Sequence, residues 1–131
     1  MAGRILVVDD QEDILMTTAL VLRKGGHEVA TAANGVEALE TARALGPDLI
    51  LLDIEMPRMD GWETLRLLRL EEATRGIPVA MFTILFDLRE KVRALKYGAQ
   101  DYITKPFSMD ELLARVERIL RGAELDGVGA R

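Results

Sequence analysis

The sequence predicts an α/β protein, with five parallel strands in one sheet and helices on both of its faces. Five short runs rich in β-branched residues or leucine alternate with five longer segments of helical period, the pattern of a parallel sheet with crossover helices. Four of the five short runs are followed by polar or turn residues. Glycine falls just after four of the helical segments, where a left-handed C-cap is wanted.

The first strand is expected over Arg4 to Val8 and the first helix over about Glu12 to Lys24, closed by Gly25-Gly26. The second strand spans His27 to Ala32; Asn34, a good N-cap type, precedes a helix over Val36 to Leu45 that Gly46-Pro47 closes. Leu49 to Leu52 forms the third strand and Trp62 to Glu72 the third helix, with Gly76 beyond it. Pro78 to Thr83 is the fourth strand, followed by a helix over Leu88 to Tyr97 and by Gly98. Asp101 to Ile103 is the fifth strand, and Ser108 with Glu111 three residues on forms a capping box for a last helix over Met109 to Arg121. Three glycines in the eight residues after Arg121 mark residues 122–131 as a flexible tail or the start of a linker, which leaves residues 1–121 as one domain.

Composition narrows the function. The 131 residues suit one domain with its own core. The absence of cysteine excludes disulfides, thiolate zinc sites and cysteine nucleophiles, and the single histidine, His27, argues against a histidine metal site or a serine–histidine relay. A net charge of -5 argues against direct nucleic-acid binding. The apolar run Val79 to Phe86 is too short to span a bilayer and the N-terminus lacks a secretory pattern, so a soluble, cytoplasmic protein is expected.

In a sheet of this kind ligands bind outside the carboxyl ends of the strands. The residues there are Asp9 and Asp10 after the first strand, Asp53 after the third, Thr83 at the end of the fourth and Lys105 after the fifth. Three carboxylates at close quarters repel one another unless a cation or proton sits between them. Mg²⁺ suits such a cluster, because it takes hard oxygen ligands and is usually held by one or two carboxylates together with phosphate oxygens. The set therefore points to phosphoryl transfer. A blander reading makes Asp9 and Asp10 helix caps and Asp53 a turn residue; it fits any one of them better than the whole set.

Val7-Val8-Asp9-Asp10, Leu51-Leu52-Asp53-Ile54-Glu55-Met56-Pro57, Asp60-Gly61 and Gly98-Ala99-Gln100-Asp101-Tyr102-Ile103-Thr104-Lys105-Pro106-Phe107 together resemble the receiver domain of bacterial two-component response regulators, over roughly residues 4 to 121. The resemblance implies the flavodoxin-like doubly wound fold with strand order 2-1-3-4-5. It makes Asp53 the phospho-acceptor, with Mg²⁺ on Asp10, Asp53, the Glu55 carbonyl and Asp9, and makes Lys105 a cation for the phosphoryl oxygens. Lys105-Pro106 is similar to a peptide that is cis in the family. Thr83 and Tyr102 match its switch pair, which couples phosphorylation to the face made by the fourth helix, fifth strand and fifth helix.

The implied partners are a sensor histidine kinase or histidine phosphotransfer protein and an output domain or downstream protein. Lys91, Asp101, Glu111 and Arg115 match a partner face through which related regulators form homodimers on phosphorylation, although Gln100 stands where an acidic partner of Arg115 is expected. Ile84 replaces the small residue usual after the switch threonine, so with Leu85 it is expected to gate access to Asp53. The stripe Leu112, Leu113, Val116, Ile119 and Leu120 is read as core.

Three other functions compete. A flavin carrier lacks its phosphate cradle, since Asp9-Asp10-Gln11-Glu12-Asp13 fills the first turn. An aspartate-nucleophile phosphatase of the haloacid-dehalogenase type needs a second Asp where Gln11 stands. A pseudo-receiver, no longer phosphorylated, would not be expected to keep all five chemical residues.

Overall fold

A computed structural model describes residues 2–56, 59–84, 87–105 and 107–128, with the backbone alone for 123–128. Strands β1 (Arg4–Val8), β2 (Glu28–Ala32), β3 (Leu49–Leu52), β4 (Val79–Thr83) and β5 (Asp101–Thr104) alternate with helices α1 (Glu12–Lys24), α2 (Gly35–Leu45), α3 (Gly61–Leu70), α4 (Leu88–Lys96) and α5 (Met109–Val128). All pairings are parallel and the order is β2-β1-β3-β4-β5. The fold is the expected one.

The two-residue period of a strand divides the core between two faces. Leu6 and Val8 of β1, with Ile50 and Leu52 of β3, join Leu39, Leu65, Leu68 and Ala94 from α2, α3 and α4. Ile5, Val7, Leu49 and Leu51 point the other way, onto Leu22 of α1 and Leu112, Val116 and Leu120 of α5. The α5 stripe is therefore core on its buried positions.

Several boundaries differ from the sequence reading. Proline has no N–H for the ladder, so Pro78 precedes β4 and contributes only its carbonyl, which accepts from the Ile50 N–H at 3.0 Å. His27 precedes β2; its N–H closes α1 on the Leu22 carbonyl at 3.2 Å, and its buried ring accepts the Gly3 N–H at Nδ1, 3.1 Å away. Helix α3 stops at Leu70, where Glu71 turns extended, and the Thr74 hydroxyl takes the Leu68 carbonyl at 2.8 Å. Gly76 is thus a turn residue and not a left-handed cap; among the described residues the left-handed glycines are Gly26, Gly46 and Gly98. Helix α5 does not end at Arg121 but continues to Val128. A glycine in an exposed helix costs only about 1 kcal/mol, and the good helix formers Ala123, Glu124 and Leu125 follow Gly122. The two predicted N-caps hold. Asn34 accepts the Glu37 N–H, and Ser108 and Glu111 bond reciprocally at 3.0 and 3.2 Å.

Candidate functional site

The site grows from the sheet order. Because β1 and β3 are neighbours, Val8 pairs with Leu52, and the next residue on each strand is an aspartate. The Asp53 N–H reaches the Val8 carbonyl at 3.1 Å, and the Asp9 N–H reaches that of Ala32 at the same distance. Both strands end there at the switch point of the sheet, where crossovers leave in opposite directions and open a crevice.

Asp9, Asp10 and Asp53 each offer a carboxylate oxygen within 4.8 Å of the others. Asp9 and Asp53 are only 2% and 7% exposed, whereas Asp10 faces solvent. Asp9 is held on both sides: Oδ1 accepts the Gln11 N–H at 2.9 Å and Oδ2 meets Lys105 Nζ at 2.5 Å. Gln11, not either aspartate, is the N-cap of α1.

Lys105 comes from the end of β5, positioned by its N–H on the Thr83 carbonyl at 2.8 Å. Its ammonium lies 3.8 Å from Asp53 Oδ2 and 5.0 Å from the Phe82 ring centroid. The carboxylates it faces are buried, so it is a partner in a desolvated ion pair as well as a loop cation. Burial pushes the Asp53 carboxyl up to about 6; Lys105 opposes the rise, Asp9 adds to it, and hydrogen bonds from the Thr83 hydroxyl and the Ile54 backbone oppose it.

The Asp60-Gly61 pair has a steric reason. Asp60 caps α3 by accepting the Glu63 N–H at 3.0 Å, and the Gly61 N–H bonds the Ile54 carbonyl at 2.8 Å. A Cβ on Gly61 would fall on the Asp53 carbonyl oxygen and the Ile54 Cα. Only glycine lets α3 start against the backbone of the loop that carries Asp53.

Thr83 is fully buried at the end of β4 and bonds Asp53, and Tyr102 is buried on the α4 side of β5, its pKa raised first by that burial. Glu55 is exposed and lines a shallow acidic recess with Asp10, Asp60 and Glu90. Asp60 and Glu90 were not among the predicted site residues; the Asp60-Gly61 motif could have pointed to the first, and nothing in the local sequence around Glu90 signals its place. Ile84 is 61% exposed and lines a groove with Lys105, Phe107 and the α1 residues Asp13, Ile14 and Thr17. Leu85, Pro57 and the Lys105-Pro106 peptide with its expected cis bond lie outside the described residues.

On the predicted partner face, Arg115 has an acidic partner in its own chain: its Nε lies 3.2 Å from Asp101 Oδ2, which Arg118 shares at 3.4 Å. Glu111 is engaged in the capping box and Lys91 is exposed on α4. Sequence reasoning missed the exposed stripe Leu88, Val92 and Leu95 on that helix, of which only Ala94 is buried. Among the described residues no helix is long and apolar enough to cross a membrane.

Comparisons with known proteins agree with this geometry. The family model described as response regulator receiver domain matches residues 5–117. The chain is 41% identical over 118 residues to the DNA-binding dual master transcriptional regulator RpaA of Synechocystis, covering 90% of this chain and 49% of that protein. It is 43% identical over 125 residues to the alkaline phosphatase synthesis transcriptional regulatory protein PhoP of Bacillus subtilis, covering 95% and 51%. The chain thus spans about half the length of the curated relatives it matches. Among solved structures, chemotaxis protein CheY4 of Vibrio cholerae superposes with a TM-score of 0.85 at 32% identity, over 91% of this chain and 99% of that one. NtrX of Brucella abortus gives 0.92 at 35% identity, over 99% of this chain and 30% of that one. With the family model matching most of its length and the sheet order and acidic crevice in place, the chain belongs to the response regulator receiver domain family of two-component systems.

Proposed function

We propose that this domain accepts a phosphoryl group on Asp53 from the phosphohistidine of a sensor histidine kinase or a histidine phosphotransfer protein. The observation that carries the reading is the convergence of Asp9, Asp10, Asp53 and Lys105 at the switch point of the sheet. An oxygen of Asp53 forms the new P–O bond as the P–N bond breaks, and the imidazole leaves with the electron pair. Lys105 and the Thr83 hydroxyl face the phosphoryl oxygens. Phosphoryl transfer needs little more from a protein than an in-line nucleophile and cations facing the equatorial oxygens.

The donor set fits Mg²⁺. One lysine offsets one of three clustered carboxylates, and the oxygens present are the hard ligands this ion prefers. Asp10, Asp53 and the Glu55 carbonyl would hold it, with Asp9 helping directly or through water. When bound it supplies positive charge to the phosphoryl group.

In this reading the domain is a switch that catalyses only its own phosphorylation and dephosphorylation. Thr83 and Tyr102 pass the change to the α4-β5-α5 face, where Lys91, Asp101, Glu111 and Arg115 meet an output domain, a downstream protein or a second copy. RpaA is described as DNA-binding; here DNA contact would belong to an output domain, with residues 1–121 as the receiver, residues 122–131 as the tail or linker beyond it, and the cytoplasm as its compartment. Incubation with acetyl phosphate and Mg²⁺ followed by intact-mass measurement tests the proposal. One added phosphoryl group is expected on the wild type and none on Asp53→Asn; an unmodified wild type would leave a pseudo-receiver.

A further inference from the structure

Between α3 and α4, outside the carboxylate crevice, lies a cleft of about 590 Å³. Helix α3 lines it with Trp62, Arg66, Arg69 and Leu70, and Arg93 and Tyr97, one turn apart, line the other side. The rings of Trp62 and Tyr97 meet edge to face, centroids 6.3 Å apart, and the Arg93 guanidinium lies 4.3 Å from the Trp62 centroid and 5.8 Å from that of Tyr97. Such a cluster holds a flexible cation against aromatic surface, and the exposed part of the guanidinium is available to a further ring.

The cations of this cleft are not equally satisfied. Arg66 is held by Glu63 through two bonds of 3.0 and 2.6 Å. Among the described residues the one carboxylate paired with Arg93 is Glu90, at 3.7 Å, beyond hydrogen-bond length. Arg69 donates to the carbonyls of Gly98, Arg75 and Ile77, and among the described residues no carboxylate pairs with it. A half-buried guanidinium compensated only by carbonyl dipoles favours an anion nearby. Beside it, Leu70 and Tyr97 leave apolar surface open, 66% and 54% exposed. Asp60 and Glu63 also line the cleft, so its three guanidiniums face two carboxylates, and in a chain of net charge -5 a small local excess of positive charge remains against aromatic surface.

We infer that the α3–α4 cleft binds a small planar anion, an aromatic ring bearing a phosphate or a carboxylate. The ring lies against the Trp62–Arg93–Tyr97 stack and the anionic group faces Arg69 and Arg93. The volume falls within the usual range for small-molecule sites, and stacking on a guanidinium plane is how proteins commonly hold nucleobases. The inference is independent of phosphoryl transfer to Asp53, which the cleft does not contain.

Trp62 is the sole tryptophan of the chain and sits inside the cleft, so its fluorescence reports occupancy directly. Adenosine monophosphate, guanosine monophosphate and 4-hydroxybenzoate are titrated separately, which distinguishes a nucleotide from an aromatic acid; adenosine and inorganic phosphate serve as half-ligands. Saturable quenching by at least one ring-bearing anion is expected, with matching amide NMR shifts in α3 and α4 and at least about tenfold weaker binding by either half-ligand. Arg93→Ala should weaken binding by about tenfold or more. Leu70→Glu, at an exposed position where folding is safe, should do the same by repulsion, and Asp53→Asn should leave binding unchanged. No response to any of the three anions, equal binding of inorganic phosphate or adenosine, or undiminished binding by Leu70→Glu would each overturn the inference.

Discussion

Lys105 is bonded to Asp9 more closely than to Asp53, at 2.5 Å against 3.8 Å. Both carboxylates are buried, so the lysine serves two purposes: it faces the acceptor, and it neutralises a charge that has left water. The second purpose makes its removal a folding problem as well as a chemical one.

Lys105→Ala should therefore destabilise the domain when divalent metal is chelated. Breaking a buried pair leaves an uncompensated charge, a loss of about 3 kcal/mol before relaxation. Mg²⁺ should restore much of that stability, since it can offset the same carboxylates, while labelling by acetyl phosphate stays impaired. Urea unfolding with and without the metal measures this; equal stability of variant and wild type in chelator would show that Asp9 needs no partner.

Asp53 carries its own pH signature. Its folded-state pKa is raised to about 6, above the ordinary 3.8, so folding favours the protonated form. That contribution is fully present below the unfolded value and is lost as pH rises through about 6. In chelator, Asp53→Asn should consequently be more stable than wild type at pH 8, by on the order of 2 kcal/mol, and nearly equal to it at pH 4. Thermal melts across that range decide it, and a constant difference would mean that burial of Asp53 is not the cause.

Most of the fold was legible because strand and helix leave different periods, and because Asn34, Ser108 and the glycines Gly26, Gly46 and Gly98 act as their types suggest. The site was legible because a parallel sheet gathers the residues just past its strands: Asp9, Asp10, Asp53, Thr83 and Lys105 needed only the strand assignments. Side-chain partnerships were not. Whether Lys105 reaches Asp9 or Asp53 depends on a loop backbone, and Arg115 finds Asp101 across an element boundary. The stripe Leu88, Val92 and Leu95 has the spacing of a core face, yet it is exposed, because α4 contacts the sheet through Ala94. Periodicity reports that a helix has an apolar side, not what covers it.

That sparse anchoring bears on the switch. A helix with one buried residue costs little to move, so beryllofluoride should shift amide resonances of Thr83, Tyr102 and α4 far more than those of α2, which buries Gly35, Ala38, Leu39 and Ala42. Changes confined to the loop after Asp53 would sink the switch assignment.

Gly61→Ala should act on Asp53 without touching its side chain. The new methyl would collide with the Asp53 carbonyl and Ile54 Cα, both backbone atoms that no rotamer can move aside. Overpacking of this kind typically costs about 1–3 kcal/mol. The displaced loop should weaken Mg²⁺ binding measured by calorimetry and slow phosphorylation. A variant with wild-type metal affinity would show that α3 can slide away freely.

Ile84 offers the sharpest test of access to the acceptor. It follows Thr83, which bonds Asp53, and its side chain shares a groove with Lys105 and Phe107 on the α1 side of the crevice rather than lying beneath α4. A β-branched side chain has few rotamers with which to clear a path, and an in-line displacement tolerates little obstruction of the approaching water. Its 61% exposure leaves it on the rim, where it can obstruct entry without filling the site. Ile84→Ala should thus take up phosphate from acetyl phosphate faster and lose it faster, each by about threefold to tenfold, or roughly 1 kcal/mol of barrier. Folding stability should change little, because an exposed isoleucine contributes little to the core. The decisive measurement is loss of phosphate from Asp53 in wild type and Ile84→Ala with Mg²⁺ held constant: the same rate in both proteins would remove Ile84 as a gate and leave it as part of the α1 groove alone.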